Sequence, residues 1–286
     1  MRGKKQPFKA VIFWSLLIFL LILGSSSAKF WFAFKKSSLR GLARVSFVLA
    51  DSASQVILFS FQDQEGLIVN LKAKDAVQLP RGFGEYELDK VYPLGELEGR
   101  GGQLLKETIE YHLQVPIFGF FYDGSGFTYE PQSLKKFFSE IFKRAITKKT
   151  KSDLATIDLI LLLLRTRRLD EQEIKIRETV DSLIDRQLRG EGYSLEVLNA
   201  TDHPGLAQQA LSLLEKSGAR VVRAADDSQA RKSNLLITPS QLFQSYTFGW
   251  LKKVFDFEVQ RAEGKRRADF TLILGEQYWE KLNKRW

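Results

Sequence analysis

The residues of this chain best suited to chemistry are its cations and the carboxylates set among them. Lys72, Lys74 and Asp75 fall in one short polar segment, and Arg81, Asp89 and Arg100 lie in LPRGFGEYELDKVYPLGELEGRGG (79–102). Arg165, Arg167 and Arg168 close an apolar stretch further on. Lysine meets a phosphate as a point charge and arginine as a two-pronged donor. Lys72, Lys74, Arg81, Arg100, Arg165 and Arg168 are therefore the candidate phosphate- or ligand-binding residues. Asp75 and Asp89 are the carboxylates able to hold a metal, and each also reads as an ordinary loop residue. The chain has no cysteine, and His112 and His203 are its two histidines. Thiolate catalysis, disulfides and cysteine zinc sites are excluded, and a histidine-rich metal site lacks ligands.

A net charge of +9 raises the question of nucleic acid, but the charge is placed otherwise. Arg2, Lys4, Lys5 and Lys9 precede an apolar run, and Lys29, Lys35, Lys36, Arg40 and Arg44 follow it. Such flanks are drawn to anionic lipid head groups, and no zinc-finger, RNA-recognition or basic-zipper motif accompanies them. A membrane partner is expected, and nucleic acid is not. Between these flanks, Ala10–Ala28 carries no charge, and VIFWSLLIFLLIL (11–23) is apolar except for Ser15. That length approaches the ~20 residues a spanning helix needs. The expected order is a cytoplasmic basic tail (1–9), a transmembrane signal anchor (10–28) and a juxtamembrane linker (29–44). The bulk of the chain then lies outside the cytoplasmic membrane. A cleaved signal peptide is the alternative, because Ser26, Ser27 and Ala28 suit a signal peptidase.

A chain of 286 residues allows two soluble domains. Val45–Leu49, Val56–Phe61 and Leu67–Leu71 read as strands, and 79–102 reads as a loop. Gln103–Leu113 reads as a helix and Val115–Tyr122 as a buried strand. Pro131–Ile146 is a basic amphipathic helix, facing either a core or a membrane surface. Ser152 caps a buried helix to Leu164, Ile174–Ile176 is a short strand, and a helix surrounds Val180–Leu188.

Composition shifts at Gly190 and Gly192, and a βα pattern begins. Ser194–Leu198 is a strand, and Thr201 or Asp202 caps a helix with Pro204 in its first turn and Gly218 as its stop. Arg220–Ala224 and Leu235–Ile237 are strands. Thr238-Pro239-Ser240-Gln241 opens a helix carrying Leu242, Phe243, Tyr246, Trp250, Leu251 and Val254. Phe257–Gln260 and Ala268–Leu274 close the domain. The fold class is α/β, ending in a small two-layer α/β sandwich. Neither helix opens on a phosphate-binding glycine fingerprint, so no nucleotide cofactor is expected.

The segments SLEVLNATDHPGLAQQALSLLEKSGARVV (194–222) and RADFTLILGEQYWEKL (267–282) resemble the C-terminal domain of LytR-like bacterial envelope proteins, placed at 193–286. Residues 45–188 resemble a shortened, degenerate LytR-CpsA-Psr domain, through VQLPRGFGEYELDKVYPLG (77–95), VPIFGFFYDG (115–124) and SDLATIDLILLLLRTRR (152–168). Active members resemble phosphotransferases that move a glycopolymer from a polyprenyl-pyrophosphate lipid to peptidoglycan with Mg²⁺ and arginines. That chemistry must neutralise a pyrophosphate leaving group. Carried across, the family's Pro-Arg-Asp-Thr run falls on Lys72, Ala73, Lys74 and Asp75, and its earlier aspartate on Ser54. Its loop Lys and Asn fall on Glu87 and Asp89, and Lys148–Lys151 and Arg165–Arg168 stand in for a later arginine-rich stretch.

The resemblance implies a catalytically impaired envelope protein that binds or scaffolds polyprenyl-linked glycopolymer, peptidoglycan or an envelope protein. The alternatives are a divergent phosphotransferase, for which alone Mg²⁺ is implied, and a membrane-bound regulator.

Overall fold

The computed structural model describes Trp14 and residues 31–283, except 54, 127–133, 263 and 265. The predicted anchor at 10–28 lies outside the described residues but for Trp14. Among the described residues, no helix is long and apolar enough to cross a membrane.

Three apolar runs form an antiparallel meander: β1 (Arg44–Asp51), β2 (Val56–Gln62) and β3 (Glu65–Leu71). Every residue of β2 is buried, the mark of a strand covered on both faces. The 79–102 segment does not form the predicted loop. Ala76–Leu79 (β4) and Gly84–Glu87 (β5) make a hairpin, and Leu88–Glu96 is a helix, α1. The turn between the strands uses Arg81, Gly82 and Gly84, all at positive φ.

Helix α2 (Gly101–Leu113) leads to β6 (Gly119–Asp123), then α3 (Leu134–Ile146), β7 (Lys151–Ser152), α4 (Thr156–Thr166) and β8 (Ile174–Arg177). The sheet order is β7-β6-β1-β2-β3-β8, with β6 parallel to β1 and β8 parallel to β3. Ser152 therefore ends a strand rather than capping a helix, and α4 starts at Thr156 after Ala155.

Side chains alternate across the sheet as a strand requires. Phe47, Phe59, Phe61 and Phe121 face α3 and α4, where they pack on Phe138, Phe142, Ile141 and Leu162. Val48, Ala50 and Leu58 face the opposite layer of hairpin, α1 and α2, packing on Val77, Val91, Leu104 and Ile109. The basic helix α3 is thus core-facing: Leu134, Phe138, Ile141, Phe142 and Ala145 are its buried stripe.

In the C-terminal domain, α5 (Arg186–Glu191) precedes β9 (Ser194–Asn199), α6 (Leu206–Lys216), β10 (Arg220–Asp226) and β11 (Leu235–Thr238). Then come α7 (Tyr246–Val254), β12 (Glu258–Arg261), β13 (Phe270–Leu274) and α8 (Glu276–Asn283). The sheet order is β10-β9-β13-β11-β12, antiparallel between β11 and β13. Three expectations change here. Gly205, at φ 85°, sets the start of α6 in place of Thr201 or Asp202. Ser240–Gln244 is a 3₁₀ turn, and the following helix restarts with Ser245 capping Phe248 N–H. The helix expected around Val180–Leu188 begins only at Arg186, because Asp185 accepts from the backbone N–H groups of Gln187 and Leu188.

The two domains share one core. A single apolar cluster runs from Phe47 and Phe59 to Trp250, Phe255 and Phe270. Polar contacts fasten the seam. Buried Asp185 accepts from Arg44 N–H at 3.2 Å and from the Tyr246 hydroxyl. Lys253 reaches the carbonyls of Ser37 and Ser38 at 3.0 and 2.8 Å, and Lys216 that of Leu113 at 3.0 Å.

Candidate functional site

The six candidate cations do not converge. Lys72 is exposed just beyond β3. Lys74 donates to Asp89 Oδ2 at 2.7 Å and Glu87 Oε2 at 3.1 Å, because the hairpin returns α1 to this turn. Backbone bonds from Asp89 N–H to Ala73 and from Leu88 N–H to Asp75 hold the register. The hydrogen bond to Asp89, then that to Glu87, holds the Lys74 ammonium above its usual pKa. Its charge is therefore already countered.

The same geometry tests a Mg²⁺ site. The Asp89 carboxylate is fully covered and its Oδ2 already holds the Lys74 ammonium, while Asp75 is exposed on the turn. Mg²⁺ asks for near-octahedral oxygen ligands and would have to displace that lysine. These residues do not fit the ion.

Arg81 is an internal latch. It is 7% exposed, and its guanidinium forks onto Glu107 at 2.5 and 2.9 Å. Its backbone N–H donates to the Leu282 carbonyl at 2.6 Å, tying the hairpin to α8. A buried two-pronged pair is specific in geometry, and loss of one partner strands the other charge. Arg81→Ala is expected to cost about 2–3 kcal/mol in denaturant unfolding, and Arg81→Lys should recover little of it. A cost below about 0.5 kcal/mol would show that the pair is idle.

Arg100 lies at the mouth of a cleft of about 520 Å³ between α2 and β7, shared with Lys148, Lys151, Tyr92 and Glu96. At Gly102 a Cβ would sit 2.0 Å from the Phe120 ring, so the ring would have to shift to admit one. Lys151 pairs with Glu96 at 2.8 Å, and Tyr92 stacks on Tyr122 with centroids 3.5 Å apart. Burial, with the bond to Glu96, pushes the Tyr92 phenol up to about 12, and the Lys151 hydrogen bond holds Glu96 below its usual value. Lys148 and Lys151 follow the basic helix α3 in the chain, and only the fold brings them beside Arg100.

Arg165 and Arg168 line a separate cleft of about 570 Å³, with Phe61, Asp63 and Gln187. Arg165 donates to the Leu42 carbonyl at 2.6 Å, and desolvation lowers its pKa. Arg168 is exposed.

Two of the buried carboxylates that sequence reasoning missed tie separate segments together. Asp123, at the end of β6, bonds Arg144 at 2.8 Å and Thr150 at 3.3 Å. Its neighbour in the sheet is Asp51 at the end of β1, whose Oδ1 accepts from Ala53 and Gln55 N–H. The other is Asp185. An aspartate closing an apolar strand was the available signal for the first pair. Ser54, the position matched to the family's earlier aspartate, lies outside the described residues.

Residues 192–278 match the family model of LytR_C, the LytR cell envelope-related transcriptional attenuator. No curated protein matches the chain. Among solved structures, a transcriptional regulator (EF0465) from Enterococcus faecalis is 12% identical with a TM-score of 0.38, over 62% of this chain and 88% of that one. Lin1025 from Listeria innocua is 9% identical with a TM-score of 0.33, over 47% and 81%. TagU from B. subtilis is 10% identical with a TM-score of 0.25, over 85% and 98%. Overlaps this loose carry no functional inference. The family match stands by itself: residues 192–278 of this chain are similar to the LytR_C domain.

Proposed function

We propose that the chain is a membrane-anchored, extracytoplasmic envelope protein of LytR-CpsA-Psr type whose middle domain binds or scaffolds without catalysis. Its setting is the assembly of cell-wall glycopolymers, and its partners are the cytoplasmic membrane together with polyprenyl-linked glycopolymer, peptidoglycan or an envelope protein. One observation carries the reading: the arginine the family places at its pyrophosphate site is replaced, and the candidate cations Lys74 and Arg81 are internally paired. Ala73 stands where an arginine is expected, Lys74 is held by Asp89 and Glu87, and Arg81 is held by Glu107. A leaving pyrophosphate needs preorganised donors aimed at it, and paired donors must first be freed. The phenylalanine-filled space between the sheet and α3 leaves no room for a polyprenyl chain, which weighs against lipid transfer and lipid binding there and favours the glycan or protein partners.

The anchor rests on the 10–28 segment, and the outward orientation on the short N-terminal tail and the family resemblance. A reporter fused after Trp286 should be active outside the cytoplasm, and activity in the cytoplasm alone contradicts the orientation. Purified protein given a lipid-pyrophosphate-linked glycopolymer, peptidoglycan acceptor and Mg²⁺ should yield no transfer product. Product formation would favour the divergent phosphotransferase.

A further inference from the structure

An open cleft of about 760 Å³ runs along the seam between the domains, where α6 and α8 face the end of α2 and the β4–β5 hairpin. Charged residues make up 27% of the chain, yet no described residue lining this cleft is Asp, Glu, Lys or Arg. Carboxamides take their place: Gln78, Gln114, Gln208, Gln209 and Asn283. Beside them the rings of Trp279 and His203 lie stacked, with centroids 3.9 Å apart and planes 10° from parallel. His203 Nε2 is held by Glu276 at 3.2 Å, which fixes the pair.

The lining excludes several ligand classes. A phosphate or carboxylate would find no lysine or arginine there, and a lipid chain would have to strip water from the amides. A carboxamide presents two donors and an acceptor together. A sugar hydroxyl likewise donates and accepts, and the C–H faces of a pyranose are apolar enough to lie on an aromatic ring. Two of the amides are available: Gln208 and Gln209 make no side-chain hydrogen bond among the described residues, and neither is buried. The cleft also depends on domain docking. Gln114 accepts from the Ser212 hydroxyl across the seam, and the Arg81–Leu282 bond sets Asn283 against the hairpin.

We infer that this cleft is a saccharide site for a neutral sugar chain. The site deepens the envelope reading and rests on it for the source of the sugar. The shared chemistry has two sources, a wall glycan strand or a neutral glycopolymer. The full-length chain in detergent is titrated calorimetrically with a β-1,4-linked N-acetylglucosamine tetramer, a neutral hexose tetramer and inorganic pyrophosphate. One of the two sugars should bind with Kd near about 1 mM or tighter, and the one preferred identifies the source.

The double substitution Gln208→Ala with Gln209→Ala should weaken that binding about tenfold or more while leaving the melting temperature unchanged. Trp279→Ala should weaken it further. No sugar binding up to about 10 mM, or sugar binding unmoved by the double substitution, overturns the site. Pyrophosphate binding that the double substitution weakens overturns the neutral class. Absence of both sugar binding and glycopolymer transfer sinks the cleft and leaves the impaired-enzyme reading standing. Transfer accompanied by sugar binding does the reverse.

Discussion

Asp185→Ala should lower stability by about 3–5 kcal/mol and the melting temperature by about 6–15 °C. The carboxylate is 1% exposed and serves four donors from three parts of the chain. Its Oδ1 caps α5 through Gln187 and Leu188 N–H, and its Oδ2 receives Arg44 N–H and the Tyr246 hydroxyl. That hydroxyl in turn accepts from Ala43 N–H at 2.8 Å. Alanine would leave these buried and part-buried donors without their acceptor, and the penalty for unmade bonds exceeds the net value of made ones. Asp185→Asn keeps a capping oxygen and should cost less. Differential scanning calorimetry of the three proteins checks the order. A melting temperature within about 2 °C of wild type for the alanine variant would mean that the seam is held by packing alone.

Phe59→Ala should cost about 3–5 kcal/mol, the loss of a buried aromatic ring plus the cavity it leaves. Phe59 is fully buried, with ring centroids at 4.9 Å from Phe138, 5.6 Å from Phe47 and Phe61, and 6.0 Å from Phe121. Neighbours on both the sheet and α3 cannot all close on one vacancy, because interiors pack as solids do. Phe59→Leu should cost roughly 1–2 kcal/mol, and the difference in chemical denaturation midpoints at constant slope is the readout. Equal costs for the two variants would mean that the ring is not tightly enclosed. The prediction also bears on function, because it treats this space as filled core.

Much of the fold was legible from local pattern. The meander runs and the βα succession of the C-terminal domain carry their periods openly, and the buried stripe of α3 follows 3.6-residue spacing. The 79–102 segment misled because glycine and proline density outweighed a real signal. Leu88, Val91, Tyr92 and Gly95 repeat at helical spacing and are all buried in α1 despite Pro93. The final helix α8 carries little local signal: apart from Tyr278, Trp279 and Leu282 its residues are polar, and it is held by the seam.

The candidate site was less legible, for a definite reason. Charge type can be read along the chain, but pairing cannot. Lys74 and Asp89 meet only because the hairpin returns α1 to that turn, and Arg81 and Glu107 only because the hairpin folds against α2. Arg100 does lie at a cleft, with Lys148 and Lys151 brought from a distant segment.

The central proposal is that this chain is an envelope protein that binds or scaffolds without turning over a glycopolymer donor. Glycopolymer transfer from a polyprenyl-pyrophosphate donor to peptidoglycan, with Mg²⁺, measures it most directly in wild type, Asp75→Ala and Lys74→Ala side by side. The account predicts that none of the three yields product above a protein-free control. Product from wild type that disappears in either variant would contradict it.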